Sequence, residues 1–198
     1  MIQIYTLLFS LMLIACNQVR TSPIKCDYYC NNISRNISSY YTVIQYEEND
    51  TVIQYSYFDV DSNYVILNNK SFKNIELFSD TAYFLYNSIC LKKNVNIGMT
   101  WPSKHGEIPV IVTLQKIEQG MILGSYEFKQ LYVYEIEYDT DYWTLEFTDC
   151  ILYFDFDMKI VLLKHTYNEG RLIGTDRLIK VTNYNPTVER NSSYDKNR

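Results

Sequence analysis

The sequence predicts a mostly β protein, a single antiparallel meander curled into a barrel or half-barrel, with room for one short helix at most. Three observations predict it. The 198 residues include 20 Tyr and 9 Phe, which together with Ile and Val suit the pleated, half-buried surface of a sheet. Several runs alternate apolar and polar residues with a period of two, as in Leu131-Tyr132-Val133-Tyr134-Glu135-Ile136-Glu137-Tyr138. The runs are separated by short Asn- and Asp-rich turns, and these residues supply the left-handed backbone that a chain with only six glycines lacks.

The chain starts with an apolar run from Ile4 to Ile14 that ends in Leu13-Ile14-Ala15-Cys16. This run is well short of the roughly 20 residues that span a hydrocarbon core. A small residue followed by cysteine reads as the recognition box of a bacterial lipoprotein signal, with residues 1–15 removed and Cys16 acylated. Plain secretion is the alternative. Residues 16–39 are polar and without sustained period, and are expected to form the lipidated cysteine and a tether. The β domain is expected over 40–185 and a polar tail over 186–198.

The domain opens on a near repeat, Thr42-Val43-Ile44-Gln45-Tyr46 and Thr51-Val52-Ile53-Gln54-Tyr55, flanking Glu47-Glu48-Asn49-Asp50, which is a hairpin signal. Asp61-Ser62-Asn63 turns the chain towards a third strand at Tyr64–Leu67. Thr81–Leu91 fits a strand or a helix capped by Ser79 or Asp80, and its aromatics favour the strand. Gly98 to Gly106 reads as a loop, and a strand follows at Ile108–Glu118; Gly120 to Gly124 reads as a turn into Tyr126-Glu127-Phe128 and the strand Leu131–Tyr138, with further strands at Trp143–Phe147, Ile151–Phe156, Ile160–His165 and Leu172–Val181. Asn168-Glu169-Gly170 carries glycine where a hairpin wants positive φ.

Taken together, Leu91-Lys92-Lys93 leading to Gly98-x-x-Trp101, Gly124-Ser125-Tyr126-x-Phe128, Leu152-Tyr153-Phe154 and Ile160-Val161-Leu162-Leu163-Lys164 resemble a class of uncharacterised bacterial lipoproteins. Met158-Lys159 stands where that class has a glycine in the last turn. The resemblance covers roughly residues 90–165 and implies a curved antiparallel sheet, with no activity or site to carry over.

Composition narrows the function. A net charge of −5, from 18 basic and 23 acidic residues without a basic cluster, lacks the footprint of a nucleic-acid binder. With Cys16 lipidated, Cys26, Cys30, Cys90 and Cys150 remain; in an exported chain they suggest disulfides, Cys26 with Cys30 and Cys90 with Cys150. Their spacing does not suit zinc, and no metal or other cofactor is expected. Asp59-x-Asp61-x-Asn63 copies half a calcium loop but has Tyr64 where glycine is needed and Lys70 where a bidentate Glu is needed, so it reads as a turn. Five Asn-x-Ser/Thr triplets, at Asn32, Asn36, Asn49, Asn69 and Asn191, read as chance in an Asn-rich chain.

His105 and His165 lack a Gly-x-Ser-x-Gly elbow to serve, and a Cys150–His165 pair across neighbouring strands is the one nucleophile arrangement the order allows. Glu135, Glu137, Glu146, Asp155 and Asp157 fall on neighbouring strands, the raw material of a carboxylate-pair hydrolase, although carboxylates on a wet sheet face are usually just solvated. Tyr132, Tyr134, Tyr138 and Trp143 would suit stacking on an apolar or glycan ligand if the sheet were concave. The expectation is a non-enzymatic binding or interaction module, anchored by lipid to a bacterial envelope membrane, with a small apolar or glycan ligand or an envelope protein as partner. The hydrolase is the alternative.

Overall fold

The computed structural model describes residues 22–123, 125–139 and 146–184. Twelve strands form in chain order: β1 (Ile24–Asn32), β2 (Ile37–Glu48), β3 (Thr51–Tyr57), β4 (Phe72–Leu77), β5 (Ala82–Leu85), β6 (Ile89–Lys92), β7 (Thr100–His105), β8 (Ile108–Leu123), β9 (Tyr126–Tyr138), β10 (Asp149–Asp155), β11 (Ile160–Asn168) and β12 (Arg171–Asn183). Ten of them make one antiparallel sheet in the order β4-β3-β2-β1-β12-β11-β10-β9-β8-β7. The expected antiparallel sheet is therefore present, but as two meanders, β1–β4 and β7–β12, joined through the β1–β12 pair rather than as a single one, and it is not closed: β4 and β7 are both edges.

The turns are legible in their residues. Glu48 pairs with Thr51, so Asn49 and Asp50 alone turn β2 into β3, with Asn49 at φ 54°. Asn168 pairs with Arg171 around Glu169 (φ 49°) and Gly170 (φ 76°), the doubly positive turn whose twist matches a hairpin. Register shifts between Leu114 and Lys116 and between Tyr153 and Phe154 insert extra residues. Bulges of this kind bend a strand and increase its twist, which lets a long sheet curl.

Several expectations are corrected. The segment 16–39 is not all tether, because Ile24–Asn32 lies inside the sheet between β2 and β12. Its polar Asp27 is buried and accepts a 2.8 Å bond from the buried Thr42 hydroxyl on the paired strand, which is what makes an acid tolerable there. Tyr64–Leu67 is no strand; Asp61 Oδ1 accepts from Asn63 N and Val65 N, and only Val60 and Ile66 form an isolated bridge. Thr81–Leu91 is neither helix nor single strand but the β5–β6 hairpin, turned by Tyr86 and Asn87 at positive φ. The loop expected from Gly98 to Gly106 holds β7.

The β5–β6 hairpin packs against one face of the β7–β10 half of the sheet, and this contact is the main core. Tyr83, Leu85, Ile89 and Leu91 meet Leu114, Tyr134, Ile136, Leu152 and Phe154. The Tyr83 and Phe154 rings lie 4.7 Å apart. Polar seams tie the layers: Trp101 Nε1 donates to the Cys90 carbonyl at 2.7 Å and the Tyr134 hydroxyl to the Lys92 carbonyl at 2.7 Å. A second cluster joins Phe128 and Leu131 of β9 to Ile160, Leu162, Leu178 and Val181.

Candidate functional site

The hairpin fills only half of the curled sheet. Beside it, between β1–β3, the inner ends of β10–β12 and the hairpin tip, lies a trough of ≈ 340 Å³. Period-two alternation decides what enters it: Cys26, Tyr28 and Cys30 of β1 face the trough, and Tyr41 and Val43 of β2 lie beside them. Tyr28 and Tyr41 are register partners with rings 4.8 Å apart and 4° from parallel, and Phe58 extends the row 5.6 Å from Tyr41. The Tyr28 hydroxyl donates to the Val161 carbonyl at 2.9 Å. Burial pushes the Tyr28 and Tyr41 hydroxyls well above the usual phenol range, so both are neutral at physiological pH.

The polar groups sit at the ends. At one end Gln45 Nε2 donates to the Met158 carbonyl at 2.9 Å, and Lys159 Nζ pairs with Glu47 at 3.0 Å while lying 4.2 Å from the Phe78 ring centroid. Elsewhere in the lining are Lys164 and Asp176, register partners on β11 and β12. Lys164 Nζ lies 5.8 Å from the ring centroid of Tyr86, at the hairpin tip. The Tyr86 hydroxyl holds the Lys164 ammonium above its usual range, against the opposing effect of burial. Tyr86 also stacks on His105 (5.2 Å, 22°), whose Nδ1 is 3.2 Å from the Tyr138 hydroxyl. Burial, with Lys164 second, lowers the His105 pKa.

What holds the hairpin wall in place is Glu76 of β4. Its side chain is fully buried and accepts from the Tyr83 hydroxyl, from Tyr86 N at 2.8 Å and from Asn74 Nδ2 at 2.8 Å. Burial raises its pKa against the three hydrogen bonds, which lower it.

The structure redistributes the residues singled out from the sequence. Tyr132, Tyr134 and Tyr138 do not face a ligand space in the trough but are buried in the main core, because the hairpin covers that half of the sheet. Cys16 and Trp143 lie outside the described residues. Cys26, Cys30, Cys90 and Cys150 are all free thiols, which corrects both expected disulfides. Cys26 and Cys30 are four residues apart on one strand, which separates their Cα atoms by about 13 Å, beyond the roughly 7 Å a disulfide bridges. Cys150 and His165 point to opposite faces: Cys150 is paired with Thr166, and His165 with Ile151. Burial pushes the Cys150 thiol up to about 11, the mark of an inert rather than a nucleophilic cysteine.

The carboxylates singled out are engaged separately, with Glu137 opposite Asp149 across β9 and β10. Exposed Glu146 pairs with Arg35 at 2.6 Å, and Glu135 with Gln115. Asp155 and Asp157 border one depression, but Asp155 accepts from Met158 N at 2.6 Å to close the β10–β11 turn, and exposed Asp157 faces Lys93 at 3.6 Å. A wide, shallow depression of ≈ 490 Å³ lies on the other face of β2–β3, along Tyr46, Ile53 and Tyr55.

No protein-family profile matches the chain, and no curated protein matches it. Among solved structures it is similar to an uncharacterised conserved protein from Thermus thermophilus, at 10% identity and a TM-score of 0.36, over 86% of this chain and 83% of that one. It is also similar to MucB in complex with MucA(peri), at 9% identity and a TM-score of 0.40 over 85% of this chain, which spans 53% of MucB. A third likeness is to a putative outer membrane lipoprotein-sorting protein domain from Vibrio parahaemolyticus, at 8% identity and a TM-score of 0.26, over 87% of this chain and 90% of that domain. At these scores the likenesses carry no argument about what the trough binds.

Proposed function

We propose that this protein is a non-catalytic binding module of a bacterial envelope, held to a membrane through an acylated Cys16, and that it takes an apolar ligand into the trough beside the β5–β6 hairpin. The observation that carries the reading is the trough itself: ≈ 340 Å³ bounded by two layers and floored by the Tyr28–Tyr41–Phe58 row. A concave space of this size, mostly apolar with a few placed polar groups, is the usual form of a small-ligand site. The aromatic rings offer large area at low entropic cost. The anchor rests on Leu13-Ile14-Ala15-Cys16 alone.

N-phenyl-1-naphthylamine, a neutral dye that brightens on leaving water, tests the trough. The full chain is expected to bind it, and Val43→Asp, which places a carboxylate on the floor, is expected to weaken binding at least tenfold while the far-UV spectrum is unchanged. Equal binding by Val43→Asp would put the ligand elsewhere. The anchor is tested separately by intact-mass analysis of membrane-extracted protein, where a mature product that begins at another residue or carries no acyl mass refutes it.

A further inference from the structure

We propose that Lys164 closes the trough as a receptor for one anionic group, so that the ligand is a single-chain amphiphile with an anionic head, a fatty acid being the simplest. This rests on the trough being the ligand site. The trough lining holds two lysines. Lys159 is engaged, with Glu47 at 3.0 Å and the Phe78 ring beneath it. Lys164 is not: no ion pair among the described residues includes it. Its ammonium lies over the face of Tyr86 at 5.8 Å, and the titratable groups that act on it are otherwise Asp176 and the hydroxyl and thiol of Tyr138 and Cys150.

Asp176, its register partner on β12, forms no contact ion pair with it among the described residues and is also the register partner of Cys30 on β1. A cation at the wall of an aromatic trough, over a ring face and without a contact ion pair among the described residues, is placed to donate a charge-assisted hydrogen bond to a ligand anion. The chain of such a ligand would lie along Tyr28, Tyr41 and Phe58, which offer area and no charge. A glycan would make little use of this arrangement, since the Tyr28 hydroxyl is already spent on Val161 and the row offers no cluster of free donors.

Displacement of the bound dye by decanoate, by 1-decanol and by acetate at pH 7.5 tests the inference. An apolar trough alone favours the alcohol, because the carboxylate must shed more water. The expected result is the reverse, decanoate displacing the dye at a concentration about tenfold or more below that of 1-decanol, the size of one charge-assisted bond, with acetate ineffective. Lys164→Met is expected to remove the preference by weakening decanoate and leaving 1-decanol unchanged, and Lys164→Arg to retain it. If 1-decanol binds as well as decanoate to the unaltered chain, or acetate competes as well as decanoate, the inference is overturned while the trough stands. If neither ten-carbon ligand displaces the dye, the trough reading falls with it.

Discussion

Glu76 is the place where one side chain decides whether the hairpin stays seated. Glu76→Ala removes the acceptor of three donors at once, of which the Tyr83 hydroxyl and Tyr86 N belong to the hairpin. Half-exposed Asn74 can turn to water, but the Tyr83 hydroxyl is buried, so the loss is one to two unsatisfied donors at about 1–3 kcal/mol each, or about 3 kcal/mol. In a chain of this size that lowers Tm by about 6–12 °C. Glu76→Gln keeps the shape and one acceptor oxygen, and its cost depends on pH. The folded-state pKa of Glu76 lies above its unfolded value, so its contribution to stability is fully present below the unfolded value near pH 4.3 and is lost as pH rises through the folded value. Urea midpoints of the unaltered chain and Glu76→Gln, measured from pH 4 to pH 8, are therefore expected to shift in favour of the Gln variant as pH rises. A cost below about 1 kcal/mol for Glu76→Ala, or a Gln variant as damaging as Ala at every pH, would refute the assignment.

Three further outcomes follow from the same structure. A Cβ at Gly120 would lie 1.3 Å from the Phe128 carbonyl oxygen, so Gly120→Ala forces β8 and β9 apart and is expected to cost about 3 kcal/mol or more in urea unfolding, whereas Gly170→Ala, in open space at φ 76°, is expected to cost about 1 kcal/mol. Ellman's reagent is expected to leave Cys26 and Cys150 unlabelled in the folded chain and to label Cys26, Cys30, Cys90 and Cys150 after unfolding without reductant; a mass about 4 Da below the fully reduced value would show two disulfides instead. Arg35→Ala, which breaks only the exposed pair with Glu146, is expected to change stability by less than about 0.5 kcal/mol, and a larger thermal shift would mean that this pair pins the strand ends.

The sequence carries the sheet in its periodicity and its turns, and loses it where polar residues are buried or apolar ones exposed. Tyr132 to Tyr138 and Asn168-Glu169-Gly170 are legible because alternation and positive φ leave direct marks. Ile24–Asn32 reads as tether because Lys25, Asp27 and the two asparagines break the pattern; its Asp27 is sheltered by Thr42 from another strand, which local sequence cannot show. In β4 the signal is inverted, since Phe72, Ile75 and Leu77 are exposed while Glu76 is buried. Alternation also reports that a face is covered, not by what. It offers Tyr132, Tyr134 and Tyr138 to a ligand, yet the chain's own hairpin covers them, with Lys92 reaching Tyr134 from 42 residues upstream. The trough is hidden from the sequence for the same reason, because the facing of Tyr28, Tyr41 and Lys164 follows from the strand order β2-β1-β12-β11 and from no spacing in the chain.

The open sheet and the trough have one cause. A sheet that closed on itself would bury its inner face uniformly, whereas here a hairpin of two four-residue strands fills the β7–β10 half and leaves the β1–β3 half with a wall on one side. Tyr83 and Leu85 serve both the hairpin's own packing and the trough, and Tyr86 carries the wall to its tip. Stability of the hairpin and affinity of the trough are then coupled, and Glu76→Ala is expected to weaken dye binding by more than Arg35→Ala does at the same temperature, although neither residue lines the trough. Measured well below both melting transitions, equal dye affinity in the two variants would mean that the hairpin is a plug for the core and no part of the site.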